Sequence, residues 1–356
     1  MARAVAARID DRVGHTAVRL WLLLVALMVA ATAIVGAATR LTGSGLSITE
    51  WAPILGIVPP LGDADWQSAF ARYKAIPQYE QLNKGMSLDA FKVIFWWEWS
   101  HRLIARSIGV VFAVPFVVFL IRGAIPRSLI PRLALIFLLG GLQGAVGWYM
   151  VASGLVDRVD VSQYRLALHL GLAFLIFALV VRTILDLSLR DTGMPSLDTI
   201  TPGQRRTARL ILALTFLQVL LGALVAGLKA GRSYNTWPLM DGALVPAGLL
   251  HLSPWWLNAF ENAATVQFNH RLLAYVLIVL TLVHAAGIIR RADDPRARRT
   301  AGLLAAAMLG QTLLGIWTLL AWVPISLGIA HQLGALVVLS VAIIHRYALR
   351  PSPDRD

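Results

Sequence analysis

Eight apolar runs, near residues 18–38, 103–122, 131–152, 164–185, 207–227, 271–290, 301–322 and 326–346, decide most of what this chain can become. Each is close to the roughly 20 residues that a helix needs to cross a ~30 Å hydrocarbon core. In that medium every backbone N–H and C=O must be satisfied internally, so only helices or a closed barrel can span it. The runs do not alternate apolar and polar residues as barrel strands do. The expected fold is an all-α polytopic membrane protein with eight transmembrane helices. Composition agrees: 14% of the 356 residues are charged, against about 25% in a soluble domain. The first run follows basic residues and precedes Gly36, Ala37 and Ala38, as in a signal peptide. It is longer than the usual apolar region of about 7–15 residues, so it reads as a retained span.

The formal net charge is +13. Assigning alternate connections to the two sides puts most Lys and Arg on one of them, including Arg122, Arg127, Arg132, Arg290, Arg291 and Arg346. By the positive-inside rule that side is cytoplasmic and holds both termini. The basic excess is a topology signal, and a nucleic-acid partner is not needed to explain it. The chain has no cysteine, so thiolate ligands, disulfides and cysteine nucleophiles are excluded.

The rare polar letters repeat. WSHRLIA around His101 matches FNHRLLA around His270, and LALHLGLAF around His169 matches GIAHQLGAL around His331. In the third and seventh spans Gln143 pairs with Gln311 and Gly147 with Gly315. Long outer connections, 39–102 and 228–270, follow the first span of each half. Two tandem, pseudo-symmetric four-helix bundles are expected: 1–190, a cytoplasmic linker at 191–206, and 207–356.

Four histidines therefore occupy matched places, His101, His169, His270 and His331, all near the outer face and two per bundle. Facing helices of a bundle build metal and heme sites in this way, and neutral imidazole is an axial ligand of heme iron. The competing reading is four polar groups hydrogen-bonded to neighbouring helices. Chance explains one such residue better than four in a repeat. Two heme-sized sites follow. Gly140, Gly141, Gly144, Gly147, Gly171, Gly310, Gly315 and Gly334 give weak support, because close helix packing also wants them. His15, His251, His284 and His345 lack matched partners and are left as structural.

The halves differ at one position. Glu98 lies one turn before His101, whereas the matching residue before His270 is Gln267. Ser87 is placed to cap a helix that carries Glu98 and His101 on one face. A carboxylate there can ligate a metal, hold a proton or stabilise a cation; it can also be an interfacial acid paired with Arg102 or Arg106. Arg102 and Arg271 follow their histidines directly. They are suited to the carboxylates of a porphyrin or to snorkelling toward the interface.

RLTGSGLSITEW, NKGMSLDAFKVIFWWEWSHR, AGRSYNTWPLMDG and VQFNHR together resemble the heme A synthase family, over nearly the whole chain. That resemblance implies an oxidoreductase of the bacterial inner membrane. It would take heme O, oxidise its C8 methyl through an alcohol to a formyl group, and supply heme A to cytochrome oxidase. It implies that His270 and His331 hold heme b, that His101 and His169 surround substrate heme, and that Glu98 assists. Heme O synthase and oxidase assembly factors are the implied partners beside the bilayer, with a second copy of the chain as a further candidate. Some members carry a cysteine pair in the outer loop; this chain resembles the cysteine-free proteobacterial and mitochondrial type.

Two other classes remain to be weighed. A cytochrome b-like electron carrier with two bis-histidine hemes would not need the Glu98/Gln267 difference, and would want hemes at two depths. A transporter would place its site at the midplane, whereas these histidines lie toward one face.

Overall fold

The computed structural model describes residues 2–192 and 200–350; of the linker expected at 191–206, residues 193–199 lie outside them. The helices are α1 (Ala2–Leu41), α2 (Asp63–Lys74), α3 (Pro77–Leu82), α4 (Leu88–Ile121), α5 (Ile130–Ala152), α6 (Gln163–Thr192), α7 (Pro202–Gly227), α8 (Asn258–Glu261), α9 (Ala263–Arg291), α10 (Pro295–Leu320) and α11 (Ile325–Ala348). Eight of them, all but α2, α3 and α8, are long and apolar enough to cross a membrane.

Every expected span is present, but α4 and α9 start earlier than their apolar runs. The cause is local. Ser87 accepts a hydrogen bond from the Ala90 N–H at 3.2 Å, and the Asn262 side chain accepts from Ala264 N at 3.0 Å and Thr265 N at 3.4 Å. Side-chain caps satisfy the orphan donors of the first turn, so each helix begins at its cap and not at its first apolar residue. Glu98 and His101 accordingly lie about three turns into α4.

The first long connection has structure of its own. Asp63 and Asp65 open α2, and Arg72 and Lys74 close it, which complements the helix dipole. Trp66, Phe70 and Tyr73 recur on one face and are buried against Phe91 and Phe95 of α4, with Leu46 and Val151 beside them. The result is a small aromatic roof over the end of the first half opposite the termini.

Packing partners describe two rings of four. In the first, α1 packs on α4 and α6, and α5 packs on α4 and α6; in the second, α7 packs on α9 and α11, and α10 packs on α9 and α11. The rings touch through α6 with α7, α1 with α11, and α6 with α11. One buried cluster crosses this seam, with Trp21 and Leu22 of α1, Phe174 and Phe177 of α6, Val219 of α7 and Leu336 and Leu339 of α11. Lipid tails are as apolar as these side chains, so shape and interhelical hydrogen bonds hold the seam. Gln332 Nε2 donates to the Ala33 carbonyl across it at 2.8 Å. At the end where the termini lie, Asp186 of α6 accepts from Tyr347 Oη at 2.7 Å and Arg350 Nη1 at 3.0 Å, and also pairs with Arg132 of α5. Leu27, Val110, Leu138 and Val279 remain exposed on the outside of the rings, as a surface solvated by lipid allows.

Candidate functional site

The four matched histidines sit on opposite helices of their rings: His101 on α4 and His169 on α6, His270 on α9 and His331 on α11. All four side chains are half-buried.

The intervening helices supply a glycine to each ring. A Cβ on Gly36 of α1 would lie 2.7 Å from His101 Cε1, one on Gly147 of α5 2.9 Å from His169 Cε1, one on Gly222 of α7 3.2 Å from His270 Cε1, and one on Gly315 of α10 2.8 Å from His331 Cε1. At Gly36, Gly147 and Gly315 a Cβ would come under 3 Å and the imidazole would have to shift, while at Gly222 the approach is tight but less so, so the missing Cβ leaves room for each ring as it stands. Among the glycines weighed from sequence, Gly147 and Gly315 have this role, whereas Gly140, Gly141, Gly144 and Gly310 meet nothing within 4 Å.

One turn before three of those glycines stands a glutamine. Gln143 Nε2 donates to the His169 carbonyl at 3.1 Å and lies 3.1 Å from His169 Nδ1. Gln311 Nε2 donates to the His331 carbonyl at 2.8 Å and lies 3.2 Å from its Nδ1. Gln218 Nε2 donates to the His270 carbonyl at 2.9 Å. The pattern was present in the sequence as QGAVG, QVLLG and QTLLG, and Gln218 and Gly222 are the members that repeat-matching missed. In the fourth place the chain reads TAIVG, and His101 Nδ1 donates to the Thr32 carbonyl at 3.1 Å.

These residues fit a heme in each half. Among the described residues no group of three or more His, Cys, Asp or Glu is placed to hold a bare metal ion. Two imidazoles per ring suit iron that brings its own four equatorial nitrogens. Buried polar atoms are also left without partners: the Oε1 atoms of Gln143, Gln218 and Gln311, and His270 Nδ1. Such orphans are uncommon in a finished interior, and these four belong to His270 and to the glutamines that bond the histidines' carbonyls.

Beside the first site, Glu98 is buried and fully engaged. Its Oε2 accepts from Ser47 Oγ and from the Ile48 N–H, each at 2.8 Å, and its Oε1 accepts from Arg102 Nη2 at 2.6 Å and Nε at 3.1 Å. Arg102 also donates to the Ile48 and Glu50 carbonyls at 2.8 and 3.1 Å. Of the readings left open for Glu98, the Arg102 pair is therefore present, while Arg106 instead donates to the Ala52 and Gly56 carbonyls. In the second half Gln267 Nε2 donates to the Ala230 and Tyr234 carbonyls, and Arg271 donates to Tyr234, Thr236 and Gln267 Oε1. Both arginines thus tie a long connection to the helix that carries the histidine. Arg271 keeps one buried donor, Nε, without a partner.

Residues 19–343 match the family model described as "Cytochrome oxidase assembly protein". The chain is 54% identical over 94% of its length to the heme A synthase of Chelativorans sp. (strain BNC1), covering 91% of that protein. It is 52% identical to that of Parvibaculum lavamentivorans, with 94% and 95% covered, and 53% identical to that of Bradyrhizobium diazoefficiens, with 96% and 94% covered. The chain belongs to the heme A synthase family.

For a heme A synthase family member, the remaining histidines lie elsewhere. His284 and His345 meet each other at the opposite end of the second ring, Nε2 to Nε2 at 2.9 Å, with Thr300 Oγ1 2.9 Å from His345 Nδ1. His251 bonds the Gly248 carbonyl in the connection between α7 and α8 at 2.7 Å.

Proposed function

We propose that this protein is a heme A synthase, a membrane oxidoreductase that converts the C8 methyl of heme O to a formyl group through the alcohol. The observation that carries the reading is the paired arrangement of histidine on glycine in both rings, within a chain of this family. The first half, with His101, His169 and Glu98, receives heme O. The second half, with His270 and His331, holds heme b, which when bound supplies a one-electron redox group beside the first half.

The chain's own residues account for binding and for charge. His101 and His169 stand on opposite helices of the first ring, and on this reading they orient the substrate macrocycle between them. The aromatic roof of Trp66, Phe70, Tyr73, Phe91 and Phe95 shields the outer end of that site from bulk water, which strengthens electrostatics inside it. Glu98 has its lone pairs occupied by Ser47, Ile48 and Arg102. A carboxylate held in this way is a fixed negative charge, suited to stabilising positive charge that develops as an electron-rich methyl is oxidised. In the second half Arg271 Nε is the donor left to meet a heme carboxylate, while Arg102 acts mainly through the loop it anchors. Both substrate and product carry a long apolar tail, which a bilayer-embedded site accommodates. The termini and the Asp186 cluster face the cytoplasm of a bacterial inner membrane in this reading, following the arginine distribution.

The test is direct. The chain is expressed with a heme O synthase in a host that makes no heme A, and the extracted hemes are separated with mass detection. Heme A or its hydroxylated precursor is the expected product. Only heme b and unmodified heme O, recovered from well-folded protein, would overturn the assignment.

A further inference from the structure

Arg106 of α4 stands at membrane depth and is spent on a loop. Arg106, Val110 and Val114 follow one another at four-residue intervals, which sets them in one row on the helix. Val110 and Val114 are exposed, so on a membrane-spanning helix that row meets lipid. Arg106 lies about 22 Å along α4 from its end at Ile121, within the ~30 Å of a hydrocarbon core. A charge at that depth needs partners, and backbone carbonyls are a usual choice. Here the partners belong to the first long connection: Nη1 donates to the Gly56 carbonyl and Nη2 to the Ala52 carbonyl, each at 3.0 Å.

The segment held in this way, WAPILGIVPPL at 51–61, contains no charged residue. Ile54, Leu55 and Leu61 are 76%, 83% and 79% exposed, and Trp51, Ile57 and Val58 are exposed beside them. Bulk water would make such a run a liability. Its backbone is arranged for a drier medium. Pro53, Pro59 and Pro60 carry no N–H, and Gly56, Ile57 and Val58 donate to the Ala52, Ile54 and Leu55 carbonyls inside the segment. Irregular backbone at membrane level has to be satisfied by protein in this manner. Trp51 stacks on Trp148 of α5, ring centroids 5.8 Å apart, and tryptophan favours the membrane–water boundary.

The second half repeats the device in different letters. Tyr275 holds the place of Arg106 in the repeat, with exposed Val279 and Val283 continuing its row. Its hydroxyl accepts from Trp237 Nε1 of the other long connection at 3.1 Å.

We propose that residues 51–61 form a membrane-contact strap, seated among phospholipid headgroups and upper acyl chains in the leaflet opposite the termini, with Arg106 as its tether. Lipid is the fitting partner because the segment extends the exposed row of α4, hangs at membrane depth and offers no charge for a protein to pair with. Ser47, Ile48 and Glu50 of the same connection bond Glu98 and Arg102. Lipid contact at one end of the strap thus steadies the loop that holds Glu98 at the other. The strap goes beyond the heme reading and holds whatever the two rings bind.

The chain has no cysteine, so single nitroxide labels can be placed without removing any residue that reacts. Leu55→Cys and Leu61→Cys are labelled in the full-length protein and reconstituted in nanodiscs of phosphatidylethanolamine and phosphatidylglycerol. EPR power saturation then compares relaxation by dissolved oxygen, which concentrates in lipid, with relaxation by a water-soluble nickel chelate. Val110→Cys is the lipid-facing reference, and Lys84→Cys, exposed between α3 and α4, is the water-facing one. Both strap labels are expected to give an oxygen-to-nickel ratio severalfold above that of Lys84→Cys and approaching that of Val110→Cys. A ratio equal to that of Lys84→Cys at either position puts the strap in water and overturns the proposal. Weak relaxation by both reagents means a protein cover, such as a second copy of the chain, and overturns it as well. The readout needs no heme, so its failure leaves the heme reading standing, and absence of heme product leaves the strap standing.

Discussion

Glu98 and Gln267 bind the long loops of their halves with opposite hydrogen-bond polarity. Glu98 accepts from a hydroxyl and an N–H of residues 47 and 48, whereas Gln267 donates to the carbonyls of residues 230 and 234. Each is braced by an arginine one turn later, Arg102 or Arg271. The difference read in the sequence as a division of chemical labour therefore has a mechanical side: the first loop presents donors and needs an acceptor, and the second presents acceptors and needs a donor. Charge and loop anchoring at position 98 have to be separated by experiment.

Two substitutions separate them. Glu98→Gln removes the charge and sets an amide N–H against the donors of Ser47, Ile48 or Arg102. Conversion of heme O is expected to fall about 10²-fold or more, the scale of losing a group that acts in the transition state, while heme b in the second half stays bound. Ser47→Ala removes one loop bond and keeps the carboxylate, so it should cost about 1 kcal/mol of local stability and leave conversion within a fewfold of wild type. Equal losses of conversion in both variants would assign Glu98 to anchoring alone. Product analysis beside a hemochrome assay of heme b reads both effects.

The glycine contacts predict a sharp contrast on a single helix. Gly315→Ala puts a Cβ 2.8 Å from His331 Cε1, whereas Gly310→Ala meets nothing within 4 Å. Heme b content should drop in Gly315→Ala. Gly310→Ala should keep it, and should gain up to about 1 kcal/mol from the better helix propensity of alanine. Gly222→Ala, with its Cβ at 3.2 Å from His270, should fall between them. Heme b absorbance per chain ranks the three, and any other order would sink the packing account.

The eight spans were legible because the bilayer leaves so few solutions: a run of the right length must be a helix. The four histidines were legible because the chain repeats, so rare polar letters stood out in pairs. What was less legible needed three dimensions. Gln218 and Thr32 gain meaning only when α7 and α1 are known to pack against α9 and α4, although the spacing from Gln218 to Gly222 equals that from Gln143 to Gly147. The helix starts at Leu88 and Ala263 are set by polar caps, which hydropathy does not register. The roof formed by Trp66, Phe70 and Tyr73 follows helical spacing, but its partners Phe91 and Phe95 lie on another element.

Asp186 gives a prediction about assembly. It is the acidic centre for Arg132 of α5, and for Tyr347 and Arg350 at the end of α11, so it joins the two rings. Its side chain is 17% exposed, so truncation leaves cations poorly compensated. Asp186→Ala should destabilise the folded protein by roughly 1–3 kcal/mol, seen as a lower midpoint in thermal unfolding in detergent. Asp186→Asn, which keeps an acceptor for Tyr347 and Arg350, should lose less. Because the cluster lies at the end away from the matched histidines, the spectrum of bound heme b should not change in either variant.

The strongest separation of the two halves comes from exchanging histidines one at a time. If His270 and His331 flank one iron, His270→Ala and His331→Ala each remove an axial ligand and should lower b-type absorbance per chain, with a shift from low-spin to high-spin character in what remains. His101→Ala and His169→Ala lie in the other ring and should leave the b band intact while conversion of heme O is lost. The two sets are near mirror images in their surroundings, each ring packed on a glycine, so nonspecific unfolding predicts similar damage from all four. Only the assignment of distinct hemes to distinct rings predicts the split. A purified His270→Ala or His331→Ala protein with full low-spin b absorbance would remove that assignment.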